Sequence, residues 1–181
     1  MKGNRAAVRY AKSLIILAKG KGQYDAVLAD VQMLSNLIKE SKELDLFLSN
    51  PLIKMEKRRS ILASMFEGKV NTLTYDFIQL VVTQKRESIL KQIFNQFIAQ
   101  YNELNKIANV SVSTAVAMDD KLKSQLMDSL KKAYNYSEIK LEEKVDEQLI
   151  GGLLLRIGDR QMDATIRRQL NDIEKELVHT K

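Results

Sequence analysis

The chain has 181 residues, 45% of them apolar and 29% charged, with one proline, seven glycines, no cysteine and a net charge of +6. That composition describes a mostly helical globular chain long enough for one or two domains, and the lack of cysteine excludes disulfides, thiolate nucleophiles and cysteine metal sites. No apolar run approaches the ~18 residues of a membrane span and the start does not read as a signal peptide, so a cytosolic or peripheral protein is expected.

Residues 4–18 form the first predicted helix, and its apolar side chains, from Ala6 to Ala18, spread over roughly 200°, about twice what a one-sided surface helix needs. Gly20 and Gly22 end it. A second helix, 23–39, has the narrower seam Val27, Val31, Leu34 and Ile38 of ordinary core packing. A short amphipathic piece with Leu44, Phe47 and Leu48 stops at Asn50-Pro51. The fourth helix, 54–66, turns Met55, Leu62 and Phe66 inward and leaves Lys57, Arg58 and Arg59 to solvent. The fifth, 71–84, again has a wide apolar arc, roughly 220°, so it too wants two neighbours. After the polar corner Gln84-Lys85-Arg86-Glu87, a helix at 88–105 carries the single stripe Ile89, Ile93, Phe97, Tyr101 and Leu104. Six helical segments thus fill the first 105 residues.

Past Lys106 the period changes from helical to two. Ala108, Val110, Val112 and Thr114 alternate with polar residues as a half-buried strand does. A helix at 119–134 follows, then a second strand at 138–145 that is polar on one side. Gly151-Gly152 opens an apolar strand, Gly158-Asp159 offers a hairpin turn, and Arg160 to Met162 leads back. Asp163 then stands at an N-cap position before a helix with Ile166, Leu170, Ile173 and Leu177 at helical spacing. The fold class is mainly α, a six-helix bundle over residues 1–105 followed by a small α+β domain over 106–181.

Chemistry is scarce. The only histidine, His179, is near the chain end, so no Ser-His-Asp, Cys-His or histidine metal constellation can be assembled. The Gly151-Gly152 pair opens a strand and lacks the spacing of a phosphate loop, which makes it structural. Asp163 reads as a cap before it reads as a general acid, and an enzyme built on Asp163 or Arg156 is the weaker reading. No catalytic, cofactor-binding or metal-binding residue is therefore expected. The positive charge alternates with acids along most helices and has no stacking aromatics beside it, so a basic adaptor for nucleic acid is only the alternative.

The stretch around Asp146, Gly151, Gly152, Arg156, Gly158, Asp159, Asp163, Arg167 and Leu170 resembles the signature of the delta subunit (OSCP) family of rotary F-type ATP synthase. Ala164 and Thr165 stand where that family usually shows Gly and Ser. Arg9-Tyr10-Ala11-Lys12 resembles its opening, with Arg9 where Pro is common, and Arg86 falls at its characteristic corner. The resemblance implies a non-catalytic stator subunit at the cytoplasmic face of the bacterial inner membrane, peripheral and without a span of its own. It implies that the first and fifth helices hold the N-terminal helix of an alpha subunit, with Tyr10, Ala11, Leu14, Phe77, Leu80 and Val81 as contacts. It also implies that the C-terminal domain engages the b subunits of the peripheral stalk.

Overall fold

A computed structural model describes residues 2–158 and 160–179, with side chains described from Arg5 to Lys175 except at Asp159 and Glu174. Asp159 of the expected turn and the His179 side chain lie outside the described residues. The fold is mostly helical with one small four-stranded sheet. It divides into two compact units, residues 1–101 and 102–181, where the change of period placed the boundary after residue 105.

Unit 1 contains α1 (Lys2–Gly20), α2 (Tyr24–Glu40), α3 (Lys42–Ser49), α4 (Met55–Phe66), α5 (Thr72–Thr83) and α6 (Leu90–Leu104), whose last residues enter unit 2. A 3-10 turn, Glu87–Ile89, leads into α6. The predicted helices lie within a few residues of these. One continuous core joins Leu14 of α1, Val31 and Leu34 of α2, Leu62 of α4, Ile78 and Val81 of α5, and Phe94 and Phe97 of α6.

Local chemistry sets the helix ends. Gly22 takes φ +67°, so the chain turns back and the Gln23 N–H donates to the Ala18 carbonyl at 2.9 Å, closing α1. The Ser41 hydroxyl accepts from the Leu44 N–H to start α3. The Asn71 side chain does the same for Leu73 at α5, while Asp30 of α2 accepts from both the Asn71 N–H (2.7 Å) and the Thr74 hydroxyl (2.8 Å). That carboxylate fixes the start of α5 against α2.

Arg58 is the correction in this unit. Expected in solvent, it is 5% exposed. It pairs with Glu87, also buried, and donates to the Asn50 carbonyl. The physical reason lies in the break after α3. Asn50 caps that helix, its carbonyl is left over at the helix end, and a guanidinium can serve both it and a carboxylate.

Unit 2 is built on a sheet of order β2-β1-β3-β4. β1 (Ile107–Thr114) runs parallel to β2 (Glu138–Val145), with α7 (Asp120–Tyr134) as the connection between them. β3 (Gly152–Ile157) pairs antiparallel with β1 and with β4 (Arg160–Thr165), and α8 (Ile166–His179) follows at once. The buried alternation Ala108, Val110, Val112 packs with Leu130 of α7, Ile139 and Leu155. β2 is an edge strand, and its run of Glu and Lys suits an edge that must not pair further.

Asp163 needs a correction too. β4 continues to Thr165 instead of ending at Met162, so Asp163 is a strand residue and does not cap α8. Thr165 does that: its hydroxyl accepts from the Arg168 N–H at 3.2 Å. Asp163 works one step behind, accepting from the Thr165 hydroxyl at 2.8 Å and its N–H at 3.0 Å.

Removing one partner of a buried ion pair strands the other charge, a loss of about 3–5 kcal/mol. Arg58→Ala is expected to lower the stability of unit 1 by that order in a denaturant melt, and Arg58→Met with Glu87→Leu to recover most of it. A single variant as stable as the parent would show that water reaches the pair.

Candidate functional site

Two surfaces stand out, one in each unit. On α1 the buried positions are Ala7, Ala11, Leu14, Ile15 and Ala18; Ala7, Ala11, Leu14 and Ala18 form the i, i+4, i+7, i+11 stripe of one helix face and have no exposure. Ala11 and Leu14 are thus residues of the unit's own core. The same holds for Val81 of α5, also without exposure, while Phe77 keeps 7%. The small alanines let α1 pack closely in its own unit, which is why the low side of the helix faces inward.

Tyr10 and Leu80 remain at the surface. Tyr10 is half-buried, with the edge of its ring against Phe77 at 6.3 Å between centroids and the Arg86 guanidinium over its face at 5.6 Å. Leu80 lies three residues beyond Phe77 on α5 and is 51% exposed. Leu17, seven residues after Tyr10 and hence on its flank of α1, is 49% exposed. Tyr10, Leu17 and Leu80 therefore present apolar surface on the α1 and α5 flanks that meet at the Tyr10–Phe77 contact. Leu17 was missing from the expected contacts, although the heptad spacing from Tyr10 marks it.

The signature residues of unit 2 are structural in different ways. Gly152 has φ +77°, and a Cβ there would overlap the Ala164 carbonyl oxygen and lie 2.9 Å from the Thr165 Cα. Both obstacles are backbone, so no side chain fits. A Cβ on Gly151 would meet the end of the Ile166 side chain at 2.6 Å, an atom that can swing away. Gly158 takes φ +55° where the hairpin turns. Arg156 is exposed on β3 opposite Ser111 and Gln161, and among the described residues no hydrogen bond or ion pair joins it to Asp163. The Thr165 hydroxyl and amide hold the Asp163 carboxyl below its usual range, the opposite of what a general acid at neutral pH requires.

Beside the glycine pair lies an apolar hollow of about 440 Å³, lined by Thr114, Met118, Leu122, Leu126 and Leu153. Val116, Leu122 and Ile150 are strongly exposed around that end of the sheet. The loop from β1 to α7 is pinned there by Glu143 of β2, which accepts from the Met118 N–H at 2.6 Å and pairs with Lys123 at 2.7 Å. The Lys123 bond first, then the Met118 amide, pull the Glu143 carboxyl below its usual range, and Glu143 in turn raises Lys123.

Among the described residues no cluster of acids or histidines could hold a metal ion, and no helix is long and apolar enough to cross a membrane. The ATP synthase delta (OSCP) subunit family matches residues 6–177, and the chain belongs to it. It is 37% identical to the ATP synthase subunit delta of Christiangramia forsetii, over 98% of this chain and 95% of that one. It is 38% identical to that of Parabacteroides distasonis, over 96% of each. A chain in the Toxoplasma gondii mitochondrial ATP synthase hexamer shares the fold, with a TM-score of 0.73, 20% identity, and coverage of 95% of this chain and 97% of that one. Family membership makes this a non-catalytic stator subunit of F-type ATP synthase, a peripheral part of a membrane-bound complex. The nucleic-acid alternative finds no support among these relatives.

Glu143 and Asp163 have lowered pKa values, so the stability they add is present above the ordinary carboxylate range near ~4 and is lost as pH falls through their depressed values. The melting temperature of unit 2 should therefore drop on acidification, and Glu143→Gln should flatten that drop; a variant as acid-sensitive as the parent would refute the assignment. For the glycines, Gly152→Ala should cost unit 2 clearly more than Gly151→Ala, about 2 kcal/mol or more against under about 1, since strain and backbone overlap add at the first position only. Hydrogen exchange localised to β3 and β4 would read the difference, and equal losses would contradict it.

Proposed function

We propose that residues 1–105 form a six-helix bundle that seats the N-terminal helix of the ATP synthase alpha subunit along the α1 and α5 flanks, over Tyr10, Leu17 and Leu80. Residues 106–181 attach to the b subunits through the apolar hollow beside Gly151 and Gly152. In this reading the chain works at the cytoplasmic face of the bacterial inner membrane, outside the bilayer.

The observation that carries the proposal is the exposed leucine on each of two helices that meet through Tyr10 and Phe77, in a chain of this family. A stator subunit holds the catalytic head still while the central stalk turns, so what it needs is slow dissociation under load. An amphipathic helix laid in an apolar groove supplies that, because a few desolvated anchors set the off-rate and no bond has to be made or broken. The α1/α5 surface suits it: a floor at Phe77, an aromatic wall at Tyr10, and leucines whose burial awaits a partner. The hollow in unit 2 has the same character on a smaller scale.

The test is titration of the alpha subunit's N-terminal peptide into the full chain, with circular dichroism melting as the folding control. Leu80→Glu and Leu17→Glu should each weaken binding about tenfold or more with little change in melting, as expected for charges set into a desolvated contact. Ala11→Arg should instead collapse the melt, because that position is core. Parent-like affinity in both leucine variants would move the peptide to another face of the bundle.

A further inference from the structure

The apolar surface at α1 and α5 ends on a cation that its own unit leaves without a carboxylate. Arg86 is exposed, and its guanidinium lies over the Tyr10 ring; among the described residues it has no ion pair. The nearest acid in sequence, Glu87, is committed to buried Arg58 and points into the unit. The backbone at this corner is fixed. Lys85 takes φ +55°, the Arg86 N–H donates to the Val81 carbonyl at 3.0 Å, and the Arg86 carbonyl accepts from the Ile89 N–H at 3.1 Å. The guanidinium is thus held beside the proposed seat by backbone and ring together, at little further entropic cost on binding. Arg9 is exposed next to Tyr10 and Lys85 next to Arg86, so the local charge is positive and nothing in the sequence around it offsets that.

We propose that Arg86 is a specificity-determining residue for the helix seated at α1 and α5, and that it pairs with an aspartate or glutamate on the edge of that helix's apolar stripe. The proposal rests on the alpha-helix reading given above. A planar guanidinium already stacked on an aromatic face keeps its edge N–H groups free for a carboxylate, so the ring contact and the new ion pair can coexist. The partner's apolar residues would then bring affinity, and the acid would fix its register along the groove.

The experiment is a double-mutant cycle on the full chain. Each acidic residue of the alpha subunit's N-terminal peptide is changed in turn to its amide and titrated into the parent and into Arg86→Met, with salt varied. One amide substitution should weaken binding to the parent about three- to tenfold and leave binding to Arg86→Met unchanged, and the salt dependence of that variant should be flatter. Arg86→Glu should lose binding and regain it with a peptide carrying lysine at the same position. Arg86 is exposed, and melting curves confirm that the variants fold. If every amide peptide loses equally in parent and variant, or none loses at all, Arg86 only holds Tyr10 and the inference is overturned. If the parent does not bind the peptide, the seat itself fails, which is a different result.

Discussion

A charge taken out of water has to be paired, and the arrangement of unit 1 around Arg58 and Glu87 follows from that constraint. The guanidinium reaches from α4 to the carbonyl that ends α3 and to the carboxylate that begins the turn into α6. Three chain segments that share no hydrogen-bond ladder are therefore held in one register. Such a pair adds little over a well-packed apolar pair, but removing either partner leaves the other charge buried and unpaired. It also has an effect at the surface. By occupying Glu87 it leaves Arg86, the next residue, as an unneutralised cation over Tyr10.

In unit 2 the equivalent constraint is steric. β3 can approach β4 at Gly152 only because there is no Cβ to strike the Ala164 carbonyl and the Thr165 backbone. That approach places Thr165 where its hydroxyl caps α8, with Asp163 orienting the hydroxyl. A glycine, a threonine and an aspartate from two strands thus decide where the last helix starts. The signature pattern records that packing and marks no reaction.

The periodicities of the sequence carried most of the fold, because burial is what periodicity encodes. The helical arcs, the change to period two after Lys106 and the hairpin after Gly152 all reflect which side chains leave water. Three features were hidden for physical reasons. Arg58 looked like one more surface base in a basic run, and only the distant Glu87 explains its burial. Thr165 could not be separated from Asp163 as the cap, since both suit an N-terminus and the choice depends on where strand pairing stops. The wide arc of α1 pointed to neighbours on two sides but not to which flank they take; the side of Ala11 and Leu14, expected at the partner, is the side its own core uses.

That last point bears on how a clamp is built. Small residues allow close approach, and on α1 they lie on the face that its own unit packs against. With Ala7, Ala11 and Ala18 on the interior, the proposed seat would hold its partner by what protrudes: an aromatic ring between Phe77 and Arg86, and leucines on either side of it. Protruding anchors on a rigid core lose little entropy when they are covered, whereas a partner that needed the alanine stripe would have to open the core first. Under a fluctuating torque the difference matters, because a contact that never requires the unit to unfold can stay as strong as the unit itself.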